Sequence, residues 1–480
     1  MILMGVDQIE ITGENMEGKE VKRARAVIYY GITVLIGLFL FFYVRMASVE
    51  IVYSDYIRLI HQYLPDTLAS EKFFVPDILT RIPITYLFRF INIKYFHYLL
   101  AFDRTVGVIG FLLFAFVITR YCLRVRMSFI SFLLVSTALA SLDKWEMLLN
   151  GSGYPHLLSY ALFAWGFYLF EKEFTGTAGQ RDRTMLTALP FLSLLTAGPY
   201  IVQFSMTLLV GAVYVILLRN RNMTMKRKLT LAIVSILPLL LFMWSNHYAV
   251  YSHSGASDVT LGQLVTEQPG FLVHFILNGF AAELFGGSVL ETWVTEGSIG
   301  YSGIYVIGAM VLLSYLLALF LYFRSGMYQR TVFPLLLMMS GVGSHALVLF
   351  SRYIFLNETY AWSSRYALQY LPGKLAVLLI FGELLTERFK NHKKFATAAG
   401  VCIALTFGFG ACYTTVQEFE MAAPRKMYFE TLRDAALHLD QHTNQELSDL
   451  FEYHHGEDDV RVALEILEEY HLNVYYEPAV

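Results

Sequence analysis

Three stretches of this 480-residue chain concentrate the residue types that can do chemistry. The first, SVEIVYSDYIRLIHQYLP at 48–65, follows an apolar run and carries Asp55, with Arg58 three positions on and His61 three beyond that. A helix beginning there puts Asp55 and Arg58 on one face. A carboxylate at the rim of a cavity can accept a proton from a hydroxyl nucleophile, and partial burial would favour this by raising its pKa. The plainer alternative is a solvated acid that caps the helix or pairs with Arg58. Glu50 stands nearer the end of the apolar run, where acids are common, and is the inferior candidate.

The second stretch, SLDKWEMLLNGSGYPHLLSYALF at 141–163, compresses Asp143, Lys144, Trp145, Glu146, Asn150 and His156 between two apolar runs. Glu146 or His156 suits the lining of a polar cavity; the group also suits an interfacial belt anchored by Trp145. The third, SRYIFLNETYAWSSRYALQYLPGK at 351–374, holds Arg352, Arg365, Tyr366, Trp362 and two serine hydroxyls. Arginine makes a planar fork that grips phosphate bidentately, while Trp and Tyr offer faces to a sugar. Headgroup anchoring explains the same residues. Arg81 and Arg89 lie in an aromatic, cationic stretch with Phe73, Phe74 and Tyr86, which reads as helices in the headgroup layer.

What holds these stretches is a membrane domain. The chain is 56% hydrophobic and only 16% charged, with a mean hydropathy of +0.50, against about 25% charged residues in soluble domains. The apolar residues form blocks long enough to cross about 30 Å of hydrocarbon as helices. A β-barrel would alternate apolar and polar residues instead. We expect an all-α polytopic membrane protein of eleven spans, at 27–46, 103–120, 128–143, 155–170, 184–198, 200–218, 229–247, 301–323, 331–350, 374–387 and 395–414. Residues 1–26 read as a cytoplasmic tail leading to an uncleaved first span, 27–414 as the transmembrane domain, and 415–480 as a small extracytoplasmic C-terminal appendage of amphipathic helices ending in a strand-like LNVYY.

More than half of the 36 Lys and Arg residues fall in the N-terminal tail, RYCLRVR, EKEFTGTAGQRDR, RNRNMTMKRK, RSGMYQR and ERFKNHKK. All of these lie on one side of the eleven-span arrangement, which the positive-inside bias makes cytoplasmic. The AGP turn at 197–199 is needed to keep that agreement. The long loops, 47–102, 248–300 and 351–373, then face outward, and so do all three stretches above. Within the second loop, GFLVHFILNGFAAELFGG is apolar enough to dip into the membrane, but a full crossing would invert every later loop. It reads as re-entrant or interfacial.

The chain carries no Walker loop, GxGxxG, HExxH or close Cys/His metal cluster, and its three cysteines form no disulfide framework. No basic extramembrane domain is present to bind nucleic acid. The architecture, the acid just after the first span (VEIVYSDYIRL) and the late outer WSSRYALQYLPGK together resemble the GT-C superfamily of integral membrane glycosyltransferases. That resemblance implies a polyprenyl-phosphate sugar donor, transfer on the non-cytoplasmic face, and an acid in the first outer loop acting as base, which falls on Asp55. Substrate contacts would come from Arg58, Glu146, His156, Arg352, Arg365 and Tyr366. Some branches bind a divalent cation with paired acids. Here Tyr53-Ser54-Asp55-Tyr56 supplies one carboxylate and Asp66 is the next, so no metal ligand is assigned. The competing classes are a lipid or glycan transporter and an envelope-assembly scaffold, although transporters typically place polar residues at the midplane within repeats. A reporter fused after Val480 should behave as non-cytoplasmic and one within 219–228 as cytoplasmic; finding both on one side overturns the arrangement.

Overall fold

The computed structural model describes residues 16–64, 67, 83–247, 256–385 and 394–477, and within them every regular element is a helix. Phe73, Phe74, Arg81 and most of the cationic ERFKNHKK loop lie outside the described residues. Among the described residues, eight helical runs are long and apolar enough to cross a membrane: Glu20–Ala47, Leu100–Arg124, Gln180–Leu217, Met225–Ser245, Tyr301–Arg324, Phe333–Phe355, Ser364–Leu384 and Ala398–Glu420. This is the architecture of an α-helical multi-pass membrane protein.

Three of the eleven expected spans do not stand as separate members of that set, each for a physical reason. Helix α5 (Phe129–Ala140) has 12 residues, about 18 Å at 1.5 Å per residue. Helix α7 (Tyr154–Phe174) carries Tyr154, His156, Tyr160, Tyr168 and Glu171 and is buried along most of its length, so lipid does not set its composition. The third case is the Gln180–Leu217 run, made of α8 (Gln180–Ala197) and α9 (Ile201–Leu217). Between them Gly198 adopts φ 52, a conformation open to glycine, and Pro199 follows. Helix α10 (Met225–Asn246) shows where α9 ends. Near its start, Arg227 donates to Thr187 Oγ1 in the first half of α8 at 2.7 Å and pairs with Glu173 of α7 at 2.6 Å. Just after α9, Asn220 and Asn222 both donate to the Phe174 carbonyl, at 3.1 and 2.8 Å. Helix α9 therefore returns to the end where α8 began.

That end collects the cationic connectors. Arg124, closing α4 (Leu100–Arg124), reaches Thr177 at 3.2 Å. Glu171 accepts the backbone N–H of Val332 at 2.6 Å and so caps α15 (Phe333–Arg352). The opposite end holds Asp55, Glu146, His156, Arg352 and Arg365. Helices α12 (Pro269–Leu284) and α13 (Gly287–Thr295) meet at 110°. His274, early in α12, meets Glu358 at 3.1 Å, and Ser288, at the start of α13, accepts from Trp145 at 3.1 Å. The start of α12 and the start of α13 thus lie at the same end, an arrangement that fits the expected re-entrant or interfacial segment.

One boundary is corrected. The 351–373 stretch is not all loop, because α16 (Ser364–Leu384) begins ten residues before the expected span. Its apolar window is 94% buried. A helix sheathed by protein keeps Arg365, Gln369 and Lys374 without facing lipid, and Lys374 pairs with Asp143 at 2.8 Å.

A second correction concerns Arg89. It does not snorkel toward headgroups from α3 (Pro83–Phe96); it is 1% exposed and forms an ion pair with Asp103 of α4. Asn92 donates to the other oxygen of Asp103 at 3.1 Å, and Arg89 donates to the Tyr56 hydroxyl at 2.7 Å while that hydroxyl donates to Asp103. The guanidinium lies 4.6 Å from the Tyr56 ring and 5.3 Å from that of Tyr154. Tyr56 belongs to α2 (Asp55–Tyr63), so the pair ties α2, α3 and α4 together.

The C-terminal region packs on the same end as Asp55 through α18 (Ala422–Leu437), α19 (Asn444–Leu450) and α20 (Asp459–Glu469). The expected strand is absent: Asn473–Tyr475 is a single 3-10 turn. Asn473 docks there with its N–H on the His97 carbonyl at 2.8 Å and its side chain on that of Tyr98 at 3.0 Å, and those contacts replace a ladder. Asp103→Leu should cost about 3–5 kcal/mol by stranding a buried guanidinium. The double variant Arg89→Met/Asp103→Leu should lose less than that single variant, as thermal unfolding in detergent would read.

Candidate functional site

Asp55 opens α2 under strain. Ser54 before it has φ 54 and ψ -130, a region that suits glycine and costs other residues about 1–3 kcal/mol. Its N–H donates to the carbonyl of Phe451 in the C-terminal region at 2.8 Å. The next residue, Tyr56, points into the Arg89–Asp103 pair. With Tyr56, Ile57 and Ile60 buried, helical geometry turns Asp55 and Arg58 toward a cavity instead.

That cavity, about 120 Å³, is lined by Asp55, Arg58, Leu59 and Tyr63 from α2, Pro155 and His156 from α7, and Arg352, Arg365 and Tyr366 from the late outer stretch. The α8–α9 tip adds Ala197, Pro199 and Tyr200. Six of the seven residues named from sequence therefore line one space. Asp55 lies 3.9 Å from Arg58 and 4.0 Å from Arg365. His156 packs edge-on against Tyr200 at 4.6 Å, and its buried Nδ1 has no hydrogen-bond partner. The Arg352 guanidinium stands 5.9 Å from the Tyr366 ring.

Glu146, the seventh, lines a neighbouring space of about 440 Å³ that shares Arg352, Arg365 and Tyr366 with the first. Its carboxylate accepts from Arg365 Nε and, at 2.8 Å, from Ser364. Glu146 thus acts on the site by holding Arg365, a positioning role rather than a contact of its own. Tyr53, which lines the larger space, has its phenol raised well above the usual range by burial first and by the Glu146 charge second.

The sequence reading missed the contribution of the C-terminal region. Arg425, Tyr428, Phe429 and Glu452 all line the larger space. One signal was present: Arg425 falls in a segment expected to face outward, where the positive-inside bias gives no reason for a cation, the same criterion that selected Arg352 and Arg365. Arg425 stacks 3.7 Å over Trp145 and donates to the Tyr43 hydroxyl at 2.7 Å. The reading also passed over Asp103 and Arg104, both buried. Arg104 binds the carbonyls of Leu149 at 2.7 Å and Val49 at 3.0 Å, fixing the loop that leads to Asp55.

Among the described residues, no three His, Cys, Asp or Glu side chains converge to hold a metal ion. Around Asp55 the nearest charged groups are guanidiniums. The arrangement can hold an anionic group beside a carboxylate. Comparison with known proteins finds no matching family model, no matching curated protein and no matching solved structure.

Relieving Ser54 isolates its strain from its position. Ser54→Gly should raise stability by about 1 kcal/mol, the strain relieved less the backbone entropy glycine loses on folding. Thermal unfolding checks this, and a fall in stability would show that Ser54 is not strained.

Proposed function

We propose that this protein is a glycosyltransferase that moves a sugar from a polyprenyl-phosphate-linked donor to an envelope glycan, lipid or protein acceptor. In this reading it has a GT-C-like fold of eleven crossings in the cell membrane, with a cytoplasmic N-terminus, an extracytoplasmic C-terminus and its site on the non-cytoplasmic face. The observation that carries the reading is the convergence of Asp55 with Arg58, Arg352 and Arg365 on one small cavity, from segments some three hundred residues apart. A space of about 120 Å³ ringed by arginines suits a phosphate-sized anion, and a carboxylate beside it is where an acceptor hydroxyl would deliver its proton.

The reaction is then a single inverting displacement. Asp55 takes the proton of the acceptor hydroxyl as its oxygen bonds to the anomeric carbon. The bond from that carbon to the phosphate oxygen breaks, and the lipid phosphate departs with the electron pair. Arg365 and Arg352 stabilise the charge that develops on it, with Arg58 beside Asp55 and Tyr366 closing the wall between the two spaces. His156 offers a buried ring nitrogen to the same anion. Glu146, itself held by the Ser364 hydroxyl, keeps Arg365 in place before the substrate arrives, so little reorganisation is needed during transfer.

A second reading, movement of a lipid or glycan without bond chemistry, has one observation in its favour. The re-entrant α12 carries Glu283 into the bundle, where it meets His345 at 2.7 Å and accepts from the Tyr315 hydroxyl. Ionisable groups at such depth commonly serve transport pathways. Sugar transfer at saturating donor separates the two. Asp55→Asn should lower turnover by about 10²–10⁴-fold while folding and donor binding persist. If Asp55 merely pairs with its arginines, a contact worth about 0–1 kcal/mol at a surface, turnover stays near wild type and the base role is lost.

A further inference from the structure

The two spaces that share the Arg352–Arg365–Tyr366 wall differ in size and in charge, and the difference assigns them different occupants. The inner cavity sets Asp55 against four lining arginines, Arg58, Arg89, Arg352 and Arg365. Arg89 is neutralised by Asp103 and Arg365 by Glu146, and Arg58 and Arg352 still outnumber Asp55. The outer space of about 440 Å³ shares Arg352 and Arg365 and adds Arg425, and Glu146 and Glu452 in its lining, with Glu418 behind Arg425, balance the three. Arg365 is held by Glu146 and Arg425 by Glu418, while Glu452 accepts from Tyr428 at 3.2 Å. Nothing there calls for an anion. What the outer space offers instead is ring faces and short polar groups. Tyr53 meets Phe429 edge-on at 5.1 Å, Tyr360 is 37% exposed, and Ser363 and Glu452 stand among them. A volume of this size falls in the range of small-ligand sites, and aromatic faces mixed with balanced polar groups fit a ring that is apolar on its faces and hydroxyl-bearing at its rim.

We propose that this outer space, walled on one side by the C-terminal residues Arg425, Tyr428, Phe429 and Glu452, is a binding site for a neutral saccharide, the acceptor of the transfer. The proposal rests on the glycosyltransferase reading for the word acceptor, but saccharide binding itself does not depend on turnover. The C-terminal region is then part of the site. Its Phe451 carbonyl holds Ser54, and its neighbour Glu452 lines the space, so the segment that positions Asp55 also bounds the proposed acceptor.

The test uses the full chain in lipid nanodiscs with no donor present. Chito-, malto- and manno-oligosaccharides are titrated by saturation-transfer NMR and calorimetry. At least one should bind saturably, and Tyr360→Ala and Glu452→Gln should each weaken it by about tenfold. His156→Ala, altered only in the inner cavity, should leave it unchanged. If none of the three binds, if both outer variants bind as wild type does, or if short peptides saturate the surface instead, the proposal is overturned. Polyprenyl phosphate binding, measured in parallel, reports on the inner cavity alone. Saccharide binding without it keeps this site and removes the donor reading; the converse removes this site and keeps that reading.

Discussion

The half of the molecule that holds the candidate site depends on one buried ion pair, Arg89 with Asp103. Taking both groups out of water is costly, and the cost is offset by the partners each group finds there. Asn92 and the Tyr56 hydroxyl complete the carboxylate, and the rings of Tyr56 and Tyr154 cover the guanidinium. The pair is therefore more than a clasp between α3 and α4. By fixing Tyr56 it sets the rotation of α2, and the rotation of a nine-residue helix decides which side chains see the cavity. Asp55 owes its direction to its neighbour.

That dependence explains the strain at Ser54. The chain arrives from α1 (Met16–Ala47) along a path anchored by Arg104 on the Val49 and Leu149 carbonyls, and it must enter α2 with Tyr56 already placed. With both ends constrained, the turn between them takes an unfavourable backbone at Ser54, and the Phe451 carbonyl from the C-terminal region satisfies the N–H left behind. Two structural demands and a distant segment meet at the residue preceding the candidate base. Strain of this kind persists only where the surroundings over-determine it.

The membrane class and the turn at 197–199 were legible because lipid and chain geometry write them into composition. Apolar blocks must be long enough to cross the hydrocarbon. What lay beyond sequence was burial against protein. Asp103, at the start of an expected span, drew no reading, and Arg89 looked like a headgroup anchor among aromatics; only their mutual contact shows what each does. The start of α16 was placed late for the same reason, since a helix enclosed by its neighbours keeps Arg365 and Lys374 and so hides its own boundary. LNVYY has the residues of a strand, and tertiary docking at His97 and Tyr98 gave it another shape.

The outer arginines can now be sorted by what they touch, which composition alone could not do. Arg89 and Arg104 are buried and bound to partners within the scaffold, and Arg425 is tied to Glu418 and Tyr43. Removing any of these would act through structure first. Arg365 is different: Glu146 fixes its Nε, while its Nη1 lies 4.0 Å from Asp55, at the edge of contact. Arg58 and Arg352 border the same cavity, beside Asp55 and over Tyr366. An arginine held by one side and presented by the other is preorganised for a ligand, because the fork is aimed before the ligand comes. By that criterion Arg365 is the cation most directly poised for an anion beside Asp55, and it sits on a helix buried along almost its whole length. A rigid, protein-sheathed helix bearing a charge at its outer tip is costly to build for headgroup anchoring, which an exposed loop achieves equally well. It is the construction expected where the position of that charge matters.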